Sequence, residues 1–165
     1  MNELSVILTL VMFLACLQNV WGQGDDASSR ETLKGLNAIG VQVVSESCAG
    51  RGYVAASLQN EVELQLRLAG IKVLPPGAVA HAILLVSLVC YELTGNIKGY
   101  TYTHWSQVVQ WIEWPFSRPT KLVQVATWQS MLHLGTAIDN NATHVRDAIN
   151  ANIRQFLNAW LAVNR

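Results

Sequence analysis

The amino-acid sequence predicts an α+β fold, a two-layer sandwich in which two helices cover one face of a mostly antiparallel sheet, in the order β-α-β-β-β-β-α. Three observations support this prediction. Apolar and polar residues alternate over several segments, which is the period of half-buried strands. Two other segments carry apolar residues at helical spacing. Short breaks separate the later strands, and consecutive strands with short links favour an antiparallel meander with helices on one face.

The start of the chain is predicted to be a leader. Residues 6–17 form an apolar run that fits the central region of a signal peptide and is shorter than the ~18–20 residues of a membrane-spanning helix. The small residue that ends Val20-Trp21-Gly22 suits cleavage before Gln23, so residues 1–22 are expected to be a signal peptide. The protein is therefore expected to be exported, to the periplasm or outside the cell, with no stable transmembrane segment after cleavage.

Two alternatives to simple cleavage stay open at the sequence level. Leu14-Ala15 precedes Cys16, which leaves a lipoprotein anchored at Cys16 as one alternative, and retention of the apolar run as an anchor is the other. Residues 23–31 are too polar to pack and are interpreted as a linker. Residues 32–165 then form one α+β domain, which is long enough to bury its own core.

The first half of this domain contains a strand, a helix and a short strand. Residues 36–46 are rich in valine and isoleucine and are predicted to form the first strand. Residues 54–69 alternate in part as a strand would, but they consist mainly of helix formers and their apolar residues also match helical spacing. Because Gly70 stands where a helix commonly ends, we predict a helix there and a strand over residues 71–74.

The second half contains three long strands and a terminal helix. The strands are predicted over residues 80–93, 99–114 and 120–132. The helix is predicted over residues 141–161, where apolar residues follow one stripe and polar residues lie opposite.

Three stretches carry a resemblance to a known family: VELQLRLAGIKVL, VATWQSMLHLG and IRQFLNAWLAVN. They look like segments of a family of small, exported, uncharacterised bacterial proteins of similar layout. The resemblance covers most of residues 33–164 and implies a similar α+β domain, but the family has no assigned activity from which to transfer residue roles. The aromatic run from Trp105 to Trp114 departs from that layout, so its role depends on this sequence alone.

Composition and spacing argue against several classes of function. The eleven basic residues follow the leader, and loss of Glu3 leaves ten acids, so the mature charge is 11 − 10 = +1. Without a basic cluster, no nucleic-acid partner is expected. The histidines have no metal-binding spacing, and no catalytic group, metal or cofactor is predicted. His104 and His133 are candidates for cross-strand neighbours, although surface positions are expected for them.

Two cysteines remain after the leader, Cys48 and Cys90, and they support two interpretations. They are a candidate disulfide pair in an oxidising compartment, although the surroundings of Cys90 favour a buried thiol. Alternatively, Cys48 beside the Gly50-Arg51-Gly52 turn is the nucleophile of a small hydrolase or thiol enzyme. A Cys48–Cys90 bridge would remove that nucleophile.

The strand over residues 99–114 provides the candidate binding site. Its tyrosines are assigned to the helix-covered side, which leaves the other side uncovered. The candidate binding residues on that side are Thr101, Thr103, Trp105, Gln107 and Trp111. Aromatic side chains beside hydrogen-bonding groups are typical of recognition surfaces, although the two tryptophans would be core residues if the facing were reversed. The favoured function is therefore a non-catalytic, exported or cell-envelope interaction module for a protein, an envelope polymer or a lipid-like ligand.

Overall fold

The structure, a computed structural model, describes residues 25–48, 55–93, 99–114, 118–138 and 142–165. Three helices and six strands lie in these ranges: α1 Ala27–Glu31, β1 Ala38–Val44, α2 Ala55–Leu68, β2 Lys72–Val73, β3 Ala82–Glu92, β4 Gly99–Trp114, β5 Lys121–Gln129, β6 His133–Ile138 and α3 Ala142–Asn164. The predictions about the leader and the Gly50-Arg51-Gly52 turn, and the predicted helix start at residue 141, concern residues outside this description.

The strands form one open, mixed sheet in the order β2-β1-β3-β4-β5. β1 is parallel to both β2 and β3, and the remaining pairs are antiparallel. β5 and β6 lie one after the other along the same side of β4, where Ser130 bridges them: the Ser130 N–H donates to the Ser106 carbonyl over 2.7 Å, and the Ser130 hydroxyl accepts from the Ser106 N–H over 2.8 Å. The predicted α+β architecture with helices on one side of a mostly antiparallel sheet is confirmed.

The helix α2 is confirmed despite the alternation in its sequence. Its buried stripe contains Leu58, Val62 and Leu66, each at most 2% exposed. Gly70 ends the helix with a φ of 89°, a value that favours glycine, and the Ile71 N–H donates back to the Leu66 carbonyl over 3.0 Å.

The core lies between the sheet and helices α2 and α3. From α3, an apolar stripe of Val145, Ile149, Ile153 and Phe156 packs inward, each at most 1% exposed. Phe156 meets Trp128 of β5 in a T-shaped ring contact with centroids 5.3 Å apart. Trp128 is therefore in the core, whereas Trp160 is half-buried at its margin and donates its indole N–H to the Leu36 carbonyl.

Two elements differ from the sequence-based prediction. The segment interpreted as a polar linker contains the helix α1, capped by Asp26 and Ser29 in a capping box. Asp25 beside it forms an ion pair with Arg30 at 2.7 Å and accepts from the Trp128 indole at 3.3 Å. The contact with Trp128, 103 residues away in the chain, ties this stretch to β5, although α1 has no buried residue of its own. The second difference is β6, a strand that the prediction missed.

Candidate functional site

The candidate binding surface is the face of the sheet opposite the helices, called here the open face. From Gly99 to Val108 the burial of the β4 residues alternates strictly, with Tyr100, Tyr102 and His104 buried on the helix side. The predicted facing of this strand is thus correct. Within the described ranges, helices pack on the other side of the sheet only.

The structure brings all five predicted binding residues to the open face. They are Thr101, Thr103, Trp105 and Gln107, which are half-buried, and Trp111, which is 43% exposed. Between Val108 and Val109 the register with β5 shifts by one residue, but the extra residue belongs to β5, so β4 keeps its alternation. Both tryptophans therefore project from the same face. Their role in binding stays a prediction.

Apolar side chains on neighbouring strands extend this surface. They come from β1, β3, β5 and β6 and were not identified from the sequence. The exposed ones are Val44 at 38%, Tyr91 at 61%, Leu122 at 63% and Leu134 at 72%. Register places Tyr91 opposite Thr101, Leu134 opposite Thr103 and Leu122 opposite Glu113. Alternation within β3 and β6 was the available signal, and β6 was missed because it is short and contains a glycine.

Ser87 marks the centre of the open face. It lies directly opposite Trp105 in the β3–β4 register and is only 7% exposed. On the other side of β3, Val44 of β1 lies opposite Ser87. Ser87 is therefore a small polar residue between the larger side chains of Val44 and Trp105.

A second polar cluster lies on the covered side of the sheet. His104 and His133 are paired across β4 and β6, with their rings stacked at 4.9 Å and nearly parallel. The prediction of neighbouring positions is correct, but the prediction of a surface position is wrong for His104, which is fully buried. Its Nδ1 lies 3.1 Å from the side-chain nitrogen of Asn152 in α3. Burial, together with the nearby His133, lowers the pKa of His104 from 6.5 to about 4.

Three buried polar atoms in this cluster have no hydrogen-bond partner within the described residues: Nε2 of His104, Oγ of Ser106 and Oδ1 of Asn152. With an Asn152 N–H donating to Nδ1, the neutral imidazole carries its proton on Nε2. Because His104 and Asn152 are fully covered, the cluster offers no route for a substrate from solvent. We expect this cluster to affect the stability of the fold and not to take part in catalysis.

Cys48 and Cys90 form a disulfide in the structure, with a Cα–Cα distance of 5.1 Å. The bridge joins the 3₁₀ turn Glu46–Cys48 to β3, and the Cys90 N–H donates to the Ser47 hydroxyl over 3.0 Å. The interpretation of Cys90 as a lone buried thiol is therefore wrong. In this state Cys48 has no thiolate with which to attack a substrate, so the alternative enzyme hypothesis loses its nucleophile.

Comparisons with known proteins give limited information. No protein-family model matches the chain, and no curated protein sequence matches it significantly. Both results are consistent with an uncharacterised family. None of the helices in the described ranges combines the length and the apolar character needed to cross a membrane.

Solved structures show weak similarity. A variant PelC dodecamer from Paraburkholderia phytofirmans has a TM-score of 0.43 and 14% identity, covering 83% of this chain and 92% of that one. A second PelC dodecamer structure from that organism has a TM-score of 0.42 and 13% identity, with coverage of 79% and 89%. A minor lipoprotein from Acinetobacter baumannii has a TM-score of 0.32 and 8% identity, with coverage of 74% and 91%. Scores at this level are too low to transfer a function.

Proposed function

We propose that this protein is an exported, non-catalytic interaction module of the cell envelope that binds another protein through its open face. The observation that carries the proposal is the row of Trp105 and Trp111 on a sheet face against which no described helix packs. Exposed apolar patches of this kind are unusual on monomeric proteins and mark interaction sites.

The size of the open face suits a protein partner. Along β4, Thr101 to Trp111 spans ten residue steps, which is about 33 Å at ~3.3 Å per residue. Across the sheet, β1, β3, β4 and the β5–β6 side cover about 20 Å when side-chain width is added to the strand spacing of ~4.8 Å. The product, roughly 650 Å², approaches the ~800 Å² that each partner contributes to a standard protein interface.

The chemistry of the open face also favours a protein over a charged polymer. Its centre carries aromatic, aliphatic, hydroxyl and amide side chains, whereas charged side chains are at its margins, namely Lys72 and Glu113. Interface centres are depleted in charge and enriched in tryptophan and tyrosine. A polyanion would need concentrated cations, and this surface does not provide them.

Export is supported by two independent features of the chain. The apolar run over residues 6–17 has the length of a signal-peptide core, and the Cys48–Cys90 disulfide is of a type that persists in oxidising compartments. We expect the mature chain to begin at Gln23, which mass spectrometry of the exported protein would test. A diacylglyceryl group on Cys16 would replace soluble export by membrane anchoring.

Photo-crosslinking in intact cells tests the binding function. A photo-reactive phenylalanine derivative is placed at Gln107, which lies on the open face between the two tryptophans, and adducts are identified by mass spectrometry. The identified partner is then purified, and its affinity is measured by calorimetry for the unmodified chain and for Trp105→Ser/Trp111→Ser. Removing both indoles should weaken binding by at least about 2 kcal/mol, which is roughly thirtyfold in Kd.

The matched control replaces two exposed leucines of α2 on the helix layer. Leu64 and Leu68 are 56% and 79% exposed, so Leu64→Ser/Leu68→Ser removes apolar surface of the same kind away from the open face. This variant should bind with unchanged affinity. Adducts only with lipid or polysaccharide, or equal loss of affinity in the two double variants, would overturn the proposal of a protein partner. Failure of Trp105→Ser/Trp111→Ser to fold would place the tryptophans in the structural core.

A further inference from the structure

The outer edge of β1 is only partly paired. β2 has two residues and pairs with Ala38 and Ile39, whereas β1 continues to Val44. On its other side β1 pairs with β3 from Gly40 to Val44. Within the described residues, β2 therefore forms the edge of the sheet beside Ala38 and Ile39, and β1 itself forms the edge from there to Val44.

The alternation of backbone groups along a strand identifies which N–H and C=O groups of β1 have no partner at this edge among the described residues. The Asn37 and Ile39 carbonyls accept from β2 and the residue after it, through the Lys72 N–H at 3.1 Å and the Leu74 N–H at 2.9 Å. In a parallel sheet alternate residues direct both backbone groups to the same side. Val41 and Val43 consequently direct an N–H and a C=O outward, and no residue in the described ranges hydrogen-bonds to these four groups.

A cavity of about 300 Å³ lies against this unpaired edge. β1 contributes Gly40, Val41 and Gln42 to its walls, α2 contributes Gln59, and the segment from Leu74 to Ala80 closes another side. No charged side chain lines it, and the two glutamine amides supply both donors and acceptors. The volume accommodates one or two apolar side chains.

The chain itself stops β2 from covering this edge. Pro75 and Pro76 follow directly after Leu74, and proline has no N–H to donate to a neighbouring strand. Gly77 then turns the chain with a φ of 81°. The unpaired stretch is thus built into the sequence, and among the described residues it lies beside a cavity with no charged lining side chain.

We propose that this edge binds an uncharged, extended peptide by strand addition. The backbone of the peptide exchanges hydrogen bonds with Val41 and Val43, and one of its apolar side chains enters the cavity between Gln59 and Ala78. An extended backbone is the occupant because only such a partner presents donors and acceptors at the spacing of alternate strand residues. The cavity contains neither Trp105 nor Trp111, so its test does not depend on the proposed function.

A random nine-residue peptide library, selected against the purified chain, supplies the probe. The best uncharged peptide is synthesised and its Kd is measured by calorimetry. Two versions keep the side chains but are N-methylated at alternate residues, one at residues 4 and 6 and the other at residues 5 and 7, because only alternate N–H groups face β1. The version whose methyl groups replace the N–H groups that face β1 should bind roughly thirtyfold more weakly because two hydrogen bonds are lost. Amide exchange at Val41 and Val43 should slow when the unmodified peptide binds.

Two matched variants locate the site. Ala78 is exposed and lines the cavity, so Ala78→Trp should fill it and weaken binding by about tenfold or more without disturbing the core. Val79 is 92% exposed and does not line the cavity, so Val79→Trp should bind as the unmodified chain does. The proposal is overturned if selection yields no peptide sensitive to Ala78→Trp, or if both N-methylated peptides bind as well as the unmodified one. Concentration-dependent dimerisation abolished by Ala78→Trp would also overturn it, because a second copy of the chain would then occupy the edge.

Discussion

Acidification between pH 6.5 and pH 5 should destabilise this protein through a single buried side chain. His104 is fully buried, and its pKa is lowered from 6.5 to about 4 by burial and by the nearby His133. In that pH range His104 becomes protonated in the unfolded chain but stays mostly neutral in the folded chain. The stabilising contribution of neutral His104 is therefore complete above about pH 6.5 and is lost as the pH falls towards 4.

The magnitude follows from the two pKa values. A pKa of about 4 in the folded state and 6.5 in the unfolded state corresponds to about 3 kcal/mol when the difference is fully expressed. At pH 5 the loss is about 2 kcal/mol, since the folded protein is still mostly unprotonated at His104. With a urea dependence of about 2 kcal/mol per molar for a domain of this size, the midpoint should fall by about 1 M between pH 7 and pH 5.

The carboxylates with lowered pKa values become protonated at lower pH, so their titration should not obscure the effect of His104 on stability. Burial raises the pKa of Asp25, but hydrogen bonds from Arg30 and Trp128 outweigh it, so the pKa is below its ordinary 3.8. The pKa of Glu63 is also lowered, from 4.5, first by a hydrogen bond from Gln59. Stability from a carboxylate with a lowered pKa is present above its unfolded value and is lost as the pH falls through its folded value. Both contributions are therefore nearly complete at pH 5 and above.

Urea unfolding at several pH values, followed by circular dichroism, measures the effect. The test variant is His104→Leu/Asn152→Val, which removes the titrating group together with its hydrogen-bond partner and leaves no new unpaired polar group. Its midpoint should be nearly constant between pH 7 and pH 5. His144→Gln, at an exposed position of α3, is the matched control and should keep the full pH dependence. A pH dependence that persists unchanged in the double variant would refute the assignment to His104.

Three further predictions concern stability. Leu66→Asp should unfold the domain, because it places a charge at a position that is 0% exposed; an unchanged melting temperature would contradict the facing of α2. Removing the disulfide with Cys48→Ser/Cys90→Ser should cost up to about 4 kcal/mol from the loss of the loop constraint over a separation of 42 residues, measured by urea unfolding under oxidising conditions. Gly135→Ala should cost about 1–3 kcal/mol because its Cβ would overlap the ring of Tyr102, and a melting temperature within error of the unmodified chain would refute this.

Strong periodicity explains why most of the fold was predictable. β4 was predicted over residues 99–114 and has those bounds, because alternation extends along the whole strand. The helix α3 was predicted from its apolar stripe and extends to Asn164, three residues beyond the prediction. The sequence of α2 fits both a strand period and a helix period. Helix propensity and the position of Gly70 favoured a helix, and the structure contains one.

The missed elements depend on contacts between distant parts of the chain. In β6, Gly135 breaks the apolar alternation, because the Tyr102 ring occupies the position where a side chain would be. The helix α1 has no buried residue, and the segment around it is held by contacts of Asp25 and Thr32 with β5 and by hydrogen bonds of Leu33 and Gly35 with Asn164 of α3. The Cys48–Cys90 bridge likewise requires an approach across 42 residues. Propensity and local spacing contain no information about such approaches.

The candidate site was predictable only in part, because strand alternation defines two faces but does not say which one is buried. Both faces of β4 carry aromatic residues, Tyr100 and Tyr102 on one and Trp105 and Trp111 on the other. The covered face is distinguished by partners on other elements: Asn152 of α3 meets His104, whereas Trp105 meets only Ser87 of the adjacent strand in register. A sheet face against which helix side chains pack becomes part of the core. A face with as many aromatic residues but no helix packed against it is either covered by another molecule or exposed to water. That difference is the physical basis for proposing a recognition role for the tryptophans, whereas the tyrosines and His104 lie in the core.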